Sequence, residues 1–324
     1  MIIVTGGAGL IGSNIVAALN ARGITDIMIV DHLKNGRKMR NLSDLNFSDY
    51  MDRDDFLAAI QSGRRFNDVK AVFHEGACSA TTEWDGQFIM RNNFEYSKTL
   101  MNWCQEIGAQ FLYASSASVY GMGKYGFQER RECEHPINMY AFSKFQFDQY
   151  VRSVKHQMRH QVVGLRYFNV YGPREPHKGS MSSTPLHFNN QVLEHGTARL
   201  FSGTEGVANG EQSRDFVYVA DCVKVNLWFL DHPETSGIFN LGTGISRTFN
   251  DLAQAVLNWH GSGAIEYVPF PRHLIGSYQN YTEADISALR AAGYTEQFTS
   301  VEEGVKTYLN WLNDGDAARR GIEG

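Results

Sequence analysis

Thr5-Gly6-Gly7-Ala8-Gly9-Leu10-Ile11-Gly12 is the stretch that decides the reading of this 324-residue chain. It follows a short apolar run, Ile2-Ile3-Val4, and leads into Ser13 to Ala21, which contains neither Pro nor Gly. Strand, glycine turn and helix in that order make a phosphate cradle. Gly6 permits the tight reversal, Gly9 lets the main chain approach a pyrophosphate, and Gly12 allows close helix packing, while the helix N-terminus attracts the anion. Asp31 then closes the second apolar run, Ile27 to Val30, at the distance where an acidic side chain reaches an adenosine ribose. A glycine turn alone is weak evidence. With Asp31 it points to a dinucleotide.

Further short β-branched runs, Ala71 to Phe73, Phe111 to Ala114 and Val162 to Leu165, alternate with helix-compatible stretches. This rhythm predicts an α/β fold, a Rossmann-type doubly wound parallel sheet with a smaller α/β substrate-binding lobe. After Arg166 the sequence turns rich in Gly, Pro and Asn, with no linker between the halves. The reading assigns 1–167 mainly to the dinucleotide domain and 168–324 mainly to the second lobe, with segments near 215–240 returning to the first. A ligand cleft between the two is expected.

The charge is mildly acidic, 30 Lys and Arg against 35 Asp and Glu, which argues against nucleic acid or a membrane surface as partner and leaves a small-molecule substrate. No signal-peptide pattern opens the chain and no apolar run has the length of a membrane span, so the cytoplasm is the default location. Cys78, Cys104, Cys133 and Cys222 lie far apart without C-x-x-C spacing, so no metal is expected and the thiols read as reduced. The small, charged residues Asp316 to Gly324 are expected to fray.

Tyr140-Ala141-Phe142-Ser143-Lys144 lies in a Gly- and Pro-free stretch, Ile137 to Val154, after Pro136, which predicts a helix carrying Tyr140 and Lys144 on one face. An ammonium beside a phenol favours the phenolate and is expected to lower its pKa from about 10, readying the tyrosine for proton exchange. Upstream, Phe111-Leu112-Tyr113-Ala114 ends in Ser115-Ser116, placing hydroxyls at the carboxyl end of a parallel strand, where open α/β sheets bind ligands.

The glycine turn, the run Ser115-Ser116-Ala117-Ser118-Val119-Tyr120-Gly121 and the Tyr140/Lys144 pair resemble the extended short-chain dehydrogenase/reductase family, as do Arg166 to Arg174 and Arg214 to Asp221. The resemblance covers nearly the whole chain and implies an NAD(P)-dependent enzyme acting on a nucleotide-activated sugar. Dehydratases of the family carry an Asp-Glu pair immediately after the position of Ser116, where Ala117-Ser118 stand here, so epimerisation or oxidoreduction is favoured over loss of water. His74 to Ser79, Thr81 to Gly86 and Arg174 to Met181 resemble the sugar-epimerase branch that inverts C6″ of ADP-heptose in lipopolysaccharide core precursor synthesis. Another nucleotide-sugar epimerase or reductase, such as a UDP-hexose 4-epimerase, or a noncatalytic dinucleotide-binding protein, are the alternatives.

That resemblance implies Tyr140 and Lys178 as the two proton-exchanging residues, Ser116 as their support and Lys144 as a further catalytic residue that also contacts the cofactor. It places Gly6, Gly9, Leu10, Ile11, Gly12, Asp31, His32, Lys38, Arg53, Glu75, Gly76, Ala77, Cys78, Ser79, Asn92, Tyr140, Lys144, Val170 and Lys178 around the cofactor. Ser116, Asn169, Ser180, His187, Phe201, Ser202, Gly203, Thr204, Arg214 and Tyr278 are assigned to the substrate. Leu10, His32 and Arg53 stand where phenylalanine, asparagine and lysine are usual, and Glu205 to Ser213 contains an insertion. The residues alone leave NAD and NADP open, because Asp31 repels a 2′-phosphate while His32, Lys34, Arg37, Lys38 and Arg53 attract one. The resemblance tips the choice to NADP, with NAD possible, and implies a homo-oligomer, a homopentamer.

Overall fold

The computed structural model describes residues 1–204, 206–272 and 278–313. The frayed tail expected at Asp316 to Gly324, and Glu205 of the insertion, lie outside the described residues.

Six strands, β1 (Ile2–Thr5), β2 (Ile27–Asp31), β3 (Asp49–Asp52), β4 (Ala71–His74), β5 (Gln110–Ser116) and β6 (Val162–Tyr167), join Gly237–Leu241 in one sheet. From one edge to the other the order is Gly237–Leu241, β6, β5, β4, β1, β2, β3, and every pairing is parallel. The order reverses direction between β1 and β4, so their connections leave toward opposite faces and a crevice opens beyond their carboxyl ends.

The apolar runs become central strands because both sheet faces are covered. Ile3, Val4, Ile29, Val72 and Phe73 are fully buried. One face packs on α1 (Leu10–Ala21) and the helix Val219–Asp231 through Ile15, Leu19, Val225 and Phe229. The other face packs on Phe56, Trp103 and Phe147. β3 has no counterpart in the sequence reading: Asp49-Tyr50-Met51-Asp52 lacks β-branched residues, and as an edge strand it needs only the backbone of β2. A second core gathers Leu186, Phe216, Val256 and Leu309 and includes Leu10 of α1. Among the described residues no helix is long and apolar enough to cross a membrane.

The helix predicted from Ile137 runs over Met139–Val154, and Asn138 rather than Pro136 starts it. The Asn138 side chain accepts a hydrogen bond from the Ala141 amide (2.8 Å), satisfying a donor that proline leaves open. Beneath this helix Arg166, fully buried, bonds the Glu134 carboxylate and, at 2.9 Å, Asp148. Arg152 closes the set on Glu134 at 2.6 Å. Arg166→Met leaves two buried carboxylates short of their cation and is expected to cost about 3–5 kcal/mol in urea unfolding. Arg22→Met, at an exposed pair with Asp231, is expected to cost less than about 1 kcal/mol in the same measurement.

Candidate active site

A directed hydrogen-bond chain fixes the floor of the crevice. The Ser97 hydroxyl donates to the Asn93 carbonyl (2.5 Å), so it accepts from His74 Nε2 (2.8 Å). His74 Nδ1 then accepts from the Thr5 hydroxyl (2.6 Å), and Thr5 Oγ1 accepts from the Gly76 amide (3.3 Å). Burial keeps His74 neutral, with its pKa pushed down to about 3, which this single tautomer requires. The Glu75 amide donates to the Thr5 carbonyl (3.0 Å), so the turn after β1 and the loop after β4 are locked side by side.

Gly6 has φ +65°, and a Cβ there would stand 2.6 Å from the Gly76 nitrogen. A Cβ on Gly12 would lie 2.4 Å from the Gly6 carbonyl oxygen. Gly12 therefore lets the start of α1 pack closely, and what it packs on is the backbone of the turn at Gly6 and Gly7. Gly9 is the N-cap of α1 without a side-chain cap, which leaves the first amides of the helix open toward the crevice.

Every residue that the family resemblance assigned to the cofactor lines one cavity of about 610 Å³. The turn supplies Gly6, Gly9, Leu10, Ile11 and Gly12; Asp31, His32, Lys38 and Arg53 stand at the β2 side; Glu75 to Ser79 and Asn92 form another wall; and Val170 and Lys178 come from beyond β6. Ser116, Tyr140 and Lys144 reach the same cavity. Asp31 accepts from the Ala8 amide (2.9 Å) and from Lys38 Nζ (2.5 Å). The set fits a dinucleotide: a glycine cradle at the open amides of α1, a ribose-reaching carboxylate, and buried Glu75 Oε2 and His32 Nδ1 that carry no hydrogen bond within the chain.

Ser115 and Ser116 divide their tasks. Ser115 Oγ donates to Asp148 (2.9 Å) below the sheet, whereas Ser116 Oγ accepts from the Ser118 amide (3.2 Å) and hydroxyl (2.9 Å) and acts on the Tyr140 phenol, whose pKa it lowers. The expected lowering of the Tyr140 pKa is corrected here. Burial raises the phenol above its ordinary value, and the Ser116 hydrogen bond offsets only part of this. Lys144 turns its Nζ onto the Ala114 carbonyl (2.7 Å), and burial holds its own pKa down to about 8.

The substrate-assigned residues divide into separate groups. Arg214 stands over the Tyr278 ring at 5.0 Å, and Phe201 meets that ring at 6.1 Å, so these three cluster in the second lobe. Ser202 donates to the Val268 carbonyl (2.7 Å), the Gly203 amide donates to Asn209 (2.8 Å), and Thr204 bridges to Val207. Asn169 and Ser180 are exposed and outside the cavity lining. His187 lines a second cavity, of about 560 Å³, beside Arg37, Arg40 and Arg174. Of the substrate set only Ser116 reaches the cofactor cavity. Tyr167, His177 and Asn35 also line that cavity without having been singled out in the sequence. His177 sits inside the quoted run Arg174 to Met181 and Tyr167 inside the quoted run Arg166 to Arg174, the one signal that marked each; Asn35 had none, since its position depends on chain crossing.

The model of the NAD dependent epimerase/dehydratase family matches residues 2–242. The chain belongs to that family. Within the epimerase/dehydratase group it is 57% identical to the ADP-L-glycero-D-manno-heptose-6-epimerase of Alkalilimnicola ehrlichii, over 98% of this chain and 99% of that one. The crystal structure of the Helicobacter pylori ADP-L-glycero-D-manno-heptose-6-epimerase superposes with a TM-score of 0.84 at 27% identity, covering 97% of this chain and 96% of that one. The UDP-N-acetylglucosamine 4-epimerase of Methanobrevibacter ruminantium gives 0.82 at 27% identity, over 96% and 97% of the two chains.

Gly6→Ala combines a left-handed φ with a backbone clash and is expected to cost about 2 kcal/mol or more in urea unfolding, and to weaken dinucleotide binding measured by calorimetry. Gly36→Ala, with open space around its Cβ, is expected to leave stability within about 0.5 kcal/mol of the parent in the same urea series.

Proposed function

We propose that this chain interconverts ADP-D-glycero-D-manno-heptose and ADP-L-glycero-D-manno-heptose at C6″, a step in making the lipopolysaccharide core precursor. The observation that carries the reading is the 57% identity across both full lengths to a protein of that name, in a chain whose Ser116, Tyr140 and Lys144 line one cavity. A nicotinamide dinucleotide held by the Gly6 to Gly12 turn, Asp31 and the Glu75 to Ser79 loop would supply reversible hydride acceptance at C6″.

The residues handle the proton and the orientation. Tyr140 is assigned the proton of the C6″ hydroxyl in its phenolate form, which the positive charge of a bound oxidised nicotinamide and of Lys144 would favour against burial; Ser116 would hold that oxygen, and Lys144 would also contact the cofactor. One phenol serves one presentation of the carbon. Lys178 enters the cavity from the segment Pro176–Met181, apart from the Tyr140 helix, and is assigned the exchange for the second presentation. Arg214, buried and backed by Tyr278, is assigned the diphosphate, because a guanidinium forks onto paired phosphate oxygens.

We assign NADP as the preferred cofactor, with NAD as a substitute. Lys38 supports this choice: its ion pair compensates the Asp31 charge that otherwise repels a 2′-phosphate, and Arg53 faces the same end of the cavity. We further assign residues 1–167 to the cofactor domain and 168–324 to the substrate lobe, with about 215–240 returning, and take the enzyme as a cytoplasmic homopentamer.

Proton NMR of purified protein incubated with ADP-heptose is expected to show the C6″ epimer and, with UDP-hexoses, no C4″ epimer. Tyr140→Phe is expected to lower kcat about 10²- to 10⁴-fold while dinucleotide binding persists; an unchanged rate removes Tyr140 from the chemistry. Lys38→Ala is expected to weaken NADP more than NAD in equilibrium titrations, and equal losses would overturn the 2′-phosphate assignment.

A further inference from the structure

The segment that carries Lys178 is tied down by two neighbouring residues that face opposite ways. Glu175, fully buried, accepts from the Ser183 amide (2.7 Å), the Ser183 hydroxyl (2.5 Å) and the Gly172 amide (3.4 Å), which closes Gly172 to Ser183 into a loop at its base. Arg174 turns instead toward the cofactor domain. Its guanidinium donates to the Asn41 carbonyl (2.8 Å) and forks onto Asp44 (2.8 and 2.7 Å). The Arg174 backbone has φ +75°, in the left-handed region that disfavours a residue with a Cβ, so its contacts must hold it there.

Further bonds join the same two stretches, although Asn41 and Arg174 are 133 residues apart. Asn41, buried at the end of the 3₁₀ turn Gly36–Asn41, directs Nδ2 to the Arg174 carbonyl (2.8 Å), His177 Nδ1 (3.2 Å) and the Ala8 carbonyl (3.0 Å) of the glycine turn. Burial, with Lys38 and Lys178 nearby, holds the His177 pKa down to about 4, so the ring is neutral and its Nδ1 accepts. Asn35 Nδ2 donates to the His177 carbonyl (3.3 Å), and Asn14 of α1 to the Pro173 carbonyl (3.0 Å). One side of this seam carries Lys38 and the other Lys178, and both lysines line the cofactor cavity. The turn Pro176–Met181 is short and irregular at Gly179, so it cannot fix the Lys178 side chain by itself.

We infer that Arg174 is a positioning residue: its fork onto Asp44 and Asn41 holds the Gly172 to Ser183 loop against the cofactor domain and thereby sets Lys178 in the cavity beside Ser116 and Tyr140. The inference rests on the proposed proton exchange at Lys178 and deepens it by naming what fixes that lysine. Arg174 is not among the residues lining the cofactor cavity; it borders the separate hollow near His187. Its effect on turnover therefore passes through the segment it clamps.

Arg174→Gly removes the fork and leaves a residue at ease with φ +75°, so the loop can keep its path without its clamp. In the enzyme loaded with NADP, hydrogen exchange read by mass spectrometry is expected to be about tenfold faster across 172–183 than in the parent. With ADP-heptose, kcat is expected to fall about 10- to 100-fold while KM stays within about twofold. In the Lys178→Met background the same change is expected to slow turnover by less than about twofold, because a residue acting through Lys178 then has nothing left to act on. Asp44→Asn, which keeps an acceptor at a half-exposed partner but removes its charge, is the milder variant should Arg174→Gly fail to fold, and is expected to show the same pattern with smaller losses. Unchanged exchange across 172–183, losses that multiply fully with Lys178→Met, or a change confined to KM, the mark of a direct substrate contact, each overturns the proposal. A parental rate in Lys178→Met alone sinks the proton-exchange reading instead, and the exchange measurement then still decides whether Arg174 holds the loop.

Discussion

The contact on which the site depends is backbone against backbone, where the turn after β1 meets the loop after β4. Only a glycine at residue 6 lets these segments approach, since any Cβ there would meet the Gly76 nitrogen at 2.6 Å. That approach aligns the amides of α1, the Glu75 side chain and the cavity floor in one step. The hydrogen-bond chain from Gly76 through Thr5, His74 and Ser97 then removes the freedom to slide, because each hydroxyl and each ring nitrogen has a single available role. The sheet order makes this place a crevice, and the interlocked polar chain makes it rigid.

Behind the crevice the chain buries charge in two different ways. Arg166, Glu134, Arg152 and Asp148 form a set with matched cations and anions, and around it Tyr113, Ser115 and Tyr120 complete the hydrogen bonds. Such a set contributes specificity of arrangement, fixing β5, β6 and the Met139–Val154 helix relative to one another. In front of it Glu75, Lys144 and Tyr140 are buried with fewer partners, and all three are displaced from their ordinary titration ranges by that burial. A saturated network behind and an unsaturated one in front is the arrangement expected of a scaffold and the chemistry it presents.

Burial also explains why the simplest chemical reading of the Tyr140/Lys144 spacing fell short. Spacing on a helix puts two side chains on one face, but it does not say how much water either one loses. Here the phenol loses enough that desolvation outweighs its favourable hydrogen bond, and Lys144 divides its attention between a backbone carbonyl and the carboxylates around it. The charge state of the pair is thus a property of the cavity. The Lys38–Asp31 pair is a parallel case: the sequence presents a carboxylate and a cluster of cations with opposite preferences for a 2′-phosphate, and their 2.5 Å contact turns the conflict into compensation.

What the sequence by itself determined is whatever depends on local pattern. The glycine turn, the five apolar strand runs, the Ser-Ser strand end and the Tyr140/Lys144 helix follow from side-chain period and backbone freedom within a few residues. The gathering around one cavity of the residues that the resemblance assigned to a cofactor was also legible, through motifs distributed over many segments that a parallel sheet brings to one edge. Tertiary structure alone decided the rest. It recruited the polar edge strand Asp49–Asp52, carried Gly237–Leu241 back beside β6, and split the substrate-assigned residues among a cavity, a cluster and a separate hollow near His187. It also set which buried carboxylate is saturated and which is left with an unpartnered oxygen. Those outcomes depend on which distant backbone lies alongside and how much solvent it displaces, and neither quantity is written in the spacing of residues along the chain.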